Sequence, residues 1–359
     1  MVKWHHMDRK EFFQKNKNKI ICFLVTLILA IVTVYAVFKG SGISFDELLQ
    51  SISEASGVGI MLAAVCMLGF IYFEGEAVRV IVNHMGYPVK RMHGFVYSAA
   101  DVYFSAITPS ASGGQPASAF FMMKDGIPGT AVMAALLLNL VMYTLAVVTI
   151  GLLDFIFAPG LFLQFSMIGR VLIISGMIAL LGLAILFYML LKKQEIVRRL
   201  MKGTAAFLRR IHCKRLAKRL EKKINKALEE YGQCVSLIFN NRAMLIKVYV
   251  LNFLQRLSQI LVTIVSFAAL HGNLRTLPSL LATQIYVVLG SNFVPIPGGV
   301  GVTDYLMLNG YRQLMEKTDA YQLEILSRGL SFYVCIFVSM VTVLIGYLVR
   351  RKNTREKMK

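Results

Sequence analysis

The chain has 359 residues, 57% of them hydrophobic and only 16% charged, with a mean hydropathy of +0.63 and a formal net charge of +20. A water-soluble domain of this length could not hide so much apolar surface, so the lipid bilayer must be part of its solvent, and a soluble enzyme, a secreted disulfide scaffold and a disordered chain are all excluded. The 39 Lys and Arg, against 19 Asp and Glu, must nevertheless be kept out of hydrocarbon, so their positions should reveal the topology.

Residues 1–19 carry six Lys and Arg, and the nineteen residues from Ile20 to Phe38 carry no charge. At about 1.5 Å per residue that run is about 28 Å long, enough to cross the hydrocarbon core. No small-x-small cleavage pattern follows it, which favours an uncleaved anchor over a signal peptide. Next come a predicted span from Val58 to about Val82, a Gly/Pro-broken apolar stretch from Phe95 to Met123, and spans from Thr130 to about Ile150 and from Ile168 to Leu191. After a basic segment the pattern resumes with a span from Leu245 to Leu270, a second broken stretch from Leu277 to about Leu308, and a last span from Leu330 to Val349.

The cations orient these elements. The amino-terminal segment holds six, residues 192–247 hold sixteen against four acids, and the tail from Arg350 holds six, so 28 of the 39 lie in three segments that the positive-inside rule places in the cytoplasm. Segments 39–57 and 151–167 contain one Lys and four acids between them and read as external. With both ends inside, the number of full crossings must be even. Six crossings satisfy this only if each broken stretch enters and leaves on one side, the first from the cytoplasm and the second from outside. The predicted fold is therefore an all-α polytopic membrane protein with about six full transmembrane helices plus two re-entrant helix pairs in an inverted repeat. Its halves are residues 20–191 and 244–349, with a basic cytoplasmic segment at 192–243 and a basic tail at 350–359. The competing reading makes the broken stretches kinks in ordinary spans. Paired, broken segments in the two halves of a membrane protein point to a binding site, because irregular backbone at membrane depth must be buried in protein or line a wet cavity.

The first broken core reads Thr108-Pro109-Ser110-Ala111-Ser112-Gly113-Gly114-Gln115-Pro116-Ala117. Its prolines and Gly pair cannot continue a helix, whereas Pro116 suits the first turn of a new one, predicted to start near Gln115 with Ser112 able to cap it. The second core reads Pro295-Ile296-Pro297-Gly298-Gly299-Val300-Gly301-Val302-Thr303-Asp304, and predicts a helix restarting near Val302 with Asp304 in its first turn. Two half-helix amino termini facing a common midplane would offer N–H groups and positive dipole ends to a phosphate.

At these residues the chain resembles the lysylphosphatidylglycerol synthase transmembrane family, also called the flippase-like domain family. The stretch Pro295-x-Pro297-Gly298-Gly299-x-Gly301 is similar to that family's Pro-x-Pro-Gly-Gly-x-Gly signature, and Thr108-Pro109 followed by Gly113-Gly114-Gln115-Pro116 is similar to a variant of its first motif. The order, spacing and basic mid-segment match over nearly the whole chain. Two departures stand out. Many members have Arg and a Gly-Glu pair where this chain has Gly113-Gly114-Gln115, and many have Glu where it has Asp304, so a role assigned to the first-motif Glu has no residue here. The resemblance implies a bacterial inner-membrane protein, multi-pass with both termini cytoplasmic, that binds and flips an anionic or aminoacylated phospholipid such as phosphatidylglycerol or its lysyl ester. It also implies a role in cell-envelope charge and resistance to cationic peptides. The alternatives are a phosphatidylglycerol lysyltransferase using charged tRNA, and a non-transporting accessory protein. Ten residues follow Val349, and the soluble transferase domain of the bifunctional members is not expected here.

The candidate substrate-binding residues are Asp101, Pro109, Gly113, Gly114, Gln115, Pro116, Arg256, Pro297, Gly298, Gly299, Gly301 and Asp304. Ionisable groups at membrane depth are expensive and are usually functional or paired. Arg256, in the middle third of the fifth span, is expected either to pair with an Asp or to bind a lipid phosphate bidentately. Glu74, Glu76 and Arg79 read as an interfacial ion cluster, and Arg328 as a side chain reaching the outer edge. No nucleophile, base and orienter combination emerges, and Ser110 and Ser112 read as caps. No cofactor or metal is expected: the five cysteines and six histidines form no ligand pattern. An ATP-binding Gly-x-x-x-x-Gly-Lys-Ser/Thr motif is absent too, so transport would be passive or ion-coupled. In the basic segment 192–243, Leu216, Leu220, Ile224 and Leu228 form one helix face with Lys218, Arg219, Lys222, Lys223 and Lys226 around it. Such a helix fits an anionic inner leaflet or the underside of the membrane domain, whereas nucleic acid is not expected, since no RNA-binding motif is present. The oligomeric state is left open.

Overall fold

A computed structural model describes residues 45–108, 111–192, 228–292, 294 and 299–356. In chain order the helices are α1 (Phe45–Glu54), α2 (Gly57–His84), α3 (Arg91–Ile107), α4 (Gly114–Lys124), α5 (Gly129–Phe157), α6 (Pro159–Gln164), α7 (Met167–Lys192), α8 (Arg242–Ala269), α9 (Leu277–Ser291), α10 (Val302–Tyr311), α11 (Lys317–Arg328) and α12 (Cys335–Glu356). A π-helical turn, Gly329–Val334, joins α11 to α12, and residues 228–239 are also helical. Among the described residues there is no strand, and the protein is an all-α polytopic membrane protein.

Among the described residues, five helical runs are long and apolar enough to span a bilayer: α2, α5, α7, α8 and the continuous Lys317–Arg350. The predicted first span, Ile20–Phe38, and most of the basic segment, residues 193–227, lie outside the described residues. The long helices are apolar on their outward faces as well as inside. Val58, Met61, Leu62 and Val65 of α2, and Val171, Ile174, Ile178 and Ile185 of α7, recur at helical spacing on the exterior. Such stripes facing outward belong against lipid tails rather than water.

The long helices α2 and α8 pack antiparallel along their length and form the axis of the bundle. At one end the Ser56 amide donates to the Ala269 carbonyl (2.8 Å); at the other, Arg79 and Asn83 share a shallow pocket with Asn241 and Lys247. The broken stretches form two helical hairpins, α3–α4 and α9–α10, whose arms of 17, 11, 15 and 10 residues are each shorter than a full crossing of about 30 Å.

Contacts at their bases show which way the hairpins open. Asp125, just past α4, accepts hydrogen bonds from Tyr97 of α3 (2.6 Å) and from Arg350 near the end of the last helix (2.7 and 2.6 Å), and pairs with His93 (3.0 Å). The first hairpin therefore opens toward the end where Arg350 lies. The second packs its base against the opposite side of the chain's turns: Asn309 of α10 accepts from the Ser166 amide (2.9 Å), and Tyr286 of α9 donates to the Asp154 and Ala158 carbonyls at the α5–α6 junction. The two hairpins open toward opposite ends of the bundle. Each also packs on the other half of the chain, α3 against α12 and α9 against α7 and α5.

Two spans differ from their predicted extents, and one end of the basic segment folds onto the domain. α5 runs on to Phe157 and carries Asp154, buried, in its last turn. The last helical run begins at Lys317 instead of Leu330, because Glu324 and Arg328 are buried against the bundle interior. The stretch 228–239 buries Leu228, Tyr231, Val235 and Ile238 in the protein core, so this end of the basic segment packs on the domain, with Tyr231 donating to the Leu190 carbonyl (3.2 Å).

Candidate functional site

The site begins with a close helix crossing. A methyl group on Gly75 of α2 would collide with the Gly94 carbonyl of α3, and one on Gly94 with Gly75, so the pair of glycines lets these backbones touch. One residue before this crossing is Glu74. Its Oε2 accepts from Ser98 of α3 (2.9 Å) and from Gln255 of α8 (3.2 Å).

The first motif then turns back on itself. Thr108 Oγ1 accepts from the Gly113 amide (2.8 Å), and α4 starts at Gly114 with Gly113, not Ser112, at its cap. Gly114 sits against Asp101 and Ser105 of α3 with no room for a side chain. Asp101 is held on both oxygens, by Ser105 (3.2 Å) and by the Gln115 amide group (2.7 Å). The second motif restarts its helix at Val302, as predicted. Gly301 has a φ of +82°, a conformation open to glycine at no steric cost, and its amide donates to Asp304 Oδ2 (2.8 Å). Asp304 Oδ1 pairs with Arg328 Nε at 2.8 Å.

Between these motifs lies a cavity of about 360 Å³. That is a usual size for a small-molecule pocket, roughly 300–1,000 Å³. It is lined by Ala111 and Gln115 of the first motif, Val294, Gly299 and Thr303 of the second, and Glu74, Asp101, Arg256 and Arg328 from the surrounding helices. Arg256 is only 4% exposed and sits fourteen residues into the 28-residue α8. Its guanidinium lies over the Tyr143 ring (4.7 Å) and bonds through Nη1 to Gln259, while its Nε has no partner among the described residues. Gln255 Oε1 and Gln115 Oε1 are buried and unpartnered too. Buried donors and acceptors left without partners are costly, and three of them around one cavity describe a place made for a polar guest.

Of the residues predicted from sequence, Asp101, Gln115, Arg256 and Gly299 line the cavity. Gly113, Gly114, Gly301 and Asp304 are not among the lining residues; Gly114 packs on Asp101, which is, and Asp304 pairs with Arg328, which is. Pro116 is exposed in the first turn of α4 and is not among the lining residues. Pro109, Pro297 and Gly298 lie outside the described residues.

Two sequence readings are corrected. Glu74 is no part of the interfacial cluster; Glu76 and Arg79 pair at 2.6 Å, but Glu74 points to another face of α2, ten residues or about 15 Å before its end, and lines the cavity. Arg328 does not reach the outer edge: it is 6% exposed, paired to Asp304 and stacked over Phe332 (4.9 Å) at the start of the π turn. The polar lining of α8 was also missed. Asn252, Gln255, Arg256, Gln259, Thr263 and Ser266 recur at three- and four-residue intervals, a polar stripe inside an apolar helix that the sequence already displays.

A family model for the lysylphosphatidylglycerol synthase TM region matches residues 22–339, and the chain belongs to that family. No curated protein matches the chain.

Proposed function

We propose that this membrane protein binds the headgroup of an anionic or aminoacylated phospholipid in the central cavity and carries it between leaflets. The observation that carries the reading is the shared cavity: both broken motifs line one space whose polar wall includes the buried, incompletely partnered Arg256. In this mechanism the planar guanidinium of Arg256 meets the phosphate, and the amino-terminal turns of α4 and α10 add backbone N–H groups and dipole. Gln115 and Gln255 orient polar headgroup atoms, and the acyl chains stay in lipid. The hairpins act as re-entrant elements opening to opposite faces, so that alternate access can pass through one site. The protein sits in a bacterial inner membrane with both termini cytoplasmic, and the basic segment meets anionic inner-leaflet lipids.

The test is a leaflet assay. Purified protein in proteoliposomes is given fluorescent phosphatidylglycerol or its lysyl ester, and external quenching reports movement. Wild type should exceed empty vesicles, and Arg256→Ala should slow movement at least tenfold while eluting and melting as a folded protein. A wild type no faster than empty vesicles, or an Arg256→Ala protein as fast as wild type, overturns the mechanism. Formation of lysyl-lipid from charged tRNA by the purified chain would instead establish the transferase reading.

A further inference from the structure

Four acids and two arginines cluster at the cavity and beside it, and the acids come as pairs: Glu74 and Asp101 line it with Arg256, and Arg328, which also lines it, is paired with Asp304 next to Glu324. Glu74 accepts from Ser98 (2.9 Å), one turn before Asp101 on α3, and lines the cavity together with Asp101 and Arg256. Glu324 of α11, one turn before Arg328, stands beside Asp304, which Arg328 pairs at 2.8 Å. Each hairpin thus contributes one Asp beside a Glu from a long helix; Arg256 faces Glu74 in the first pair, and Arg328 pairs Asp304 and faces Glu324 in the second. The groups facing Glu74 are Asp101 from α3, Arg256 from α8 and Cys335 from α12; those facing Glu324 are Asp304 and Tyr311 from α10 and Arg328 from its own helix.

Two carboxylates side by side in a water-poor site repel strongly, and a proton held by one of them relieves that repulsion. With every carboxyl ionised, each cluster would carry two negative charges against one positive. One shared proton makes each cluster neutral. An arriving phosphate adds a negative charge beside Arg256, whose Nε has no partner among the described residues. The entering anion withdraws Arg256 from Glu74, which favours a further proton on the Glu74–Asp101 pair.

Resting on the lipid-carrying reading above, we infer that the Glu74–Asp101 pair takes up one proton with each anionic headgroup and releases it with the headgroup on the other side, an electroneutral proton–lipid symport. No bond other than the carboxyl O–H is made or broken, and the proton comes from water on one face and returns to water on the other.

The experiment uses the full chain in proteoliposomes containing fluorescent phosphatidylglycerol, with membrane potential clamped by valinomycin and equal potassium. With a pH difference of one unit, one-to-one coupling should draw the probe toward the alkaline side until the leaflets differ by up to about tenfold, since a tenfold ratio is the equivalent of one pH unit. Probe that equilibrates faster than in empty vesicles but ends equally distributed overturns the coupling and leaves lipid carriage standing. Probe that moves no faster than in empty vesicles overturns both. Glu74→Gln, checked for folding by elution and melting, should build no asymmetry; if it builds the wild-type asymmetry, the pair is not the carrier. A second readout needs no transport: adding short-chain phosphatidylglycerol to the solubilised protein in weak buffer with a pH dye should take up about one proton per bound lipid, and zero uptake overturns the proposal.

Discussion

The base of the first hairpin offers the sharpest test of how the site is held. Asp125 is 7% exposed and receives two hydrogen bonds from Arg350, one from Tyr97 and an ion-pair contact from His93. It thereby joins the carboxyl end of α4 to the last turns of the chain, some 225 residues later. Removing one partner of a buried pair costs about 3–5 kcal/mol, because the other charge is left uncompensated. Arg350 retains the Gly346 carbonyl (3.2 Å) and the Phe121 ring (5.2 Å), so the lower end applies, about 3 kcal/mol for Asp125→Ala. For a chain of this size that corresponds to a fall of roughly 6–12 °C in melting temperature, at 2–4 °C per kcal/mol. Burial pushes the Asp125 carboxyl up, but the Arg350, Tyr97 and His93 contacts outweigh it and hold the group below the usual carboxylate range. Its folded-state proton affinity being lowered, its contribution is complete above the unfolded value of about 3.9 and is lost only as pH falls through the lower folded value. Between pH 8 and 5 this carboxylate should therefore add no slope to stability. The assay is thermal unfolding in detergent of wild type, Asp125→Ala, Arg350→Met and the double variant. A coupling of about 2 kcal/mol is expected for residues in direct contact. Additive single effects would refute the argument, as would a wild-type stability falling steeply between pH 7 and 5 in a way that Asp125→Ala abolishes.

Three further outcomes follow from the same geometry. Gly114→Ala should destabilise by about 1–3 kcal/mol, because its methyl meets Asp101 and Ser105, whereas Gly57→Ala, with open space around it, should be neutral or slightly stabilising; equal melting shifts would contradict the packing. Asp304→Ala removes both the Gly301 contact and the Arg328 pair and should cost about 3 kcal/mol or more, while Asp304→Asn, which keeps an acceptor for the Gly301 amide, should cost less; the reverse order in thermal melts would refute the assigned contacts. In a background lacking native cysteines, Gln313→Cys should react with a membrane-impermeant thiol reagent added to intact cells and Lys124→Cys should not. Labelling at position 124 alone would break the proposed orientation.

Much of the membrane organisation is legible in the chain itself. The runs around Val58–Val82, Ile168–Leu191 and Leu245–Leu270 match helices α2, α7 and α8 to within three residues, because about twenty apolar residues in succession have one stable form in a bilayer. The two helix restarts were legible as well, since Pro and Gly at fixed offsets allow the chain few alternatives. Charge was the misleading signal. Arg328 read as a side chain reaching the outer edge and Glu74 as part of an interfacial cluster, because a sequence shows which residues carry charge and not which charges find one another across the fold.

What the sequence alone determined, then, is an all-α membrane protein with two interrupted segments and one arginine at mid-helix. These follow from local rules, hydrophobic length and backbone stereochemistry, that act within a few residues. Only the tertiary structure decided that Gln115, Arg256 and Gly299 share a cavity, and that Glu74 and Arg328 join them there. Those residues lie as much as 254 positions apart, and their meeting depends on how α2 and α8 cross and on glycine contacts that bring the hairpins close. Such pairings arise from packing between helices, where shape and partner matter and sequence distance does not.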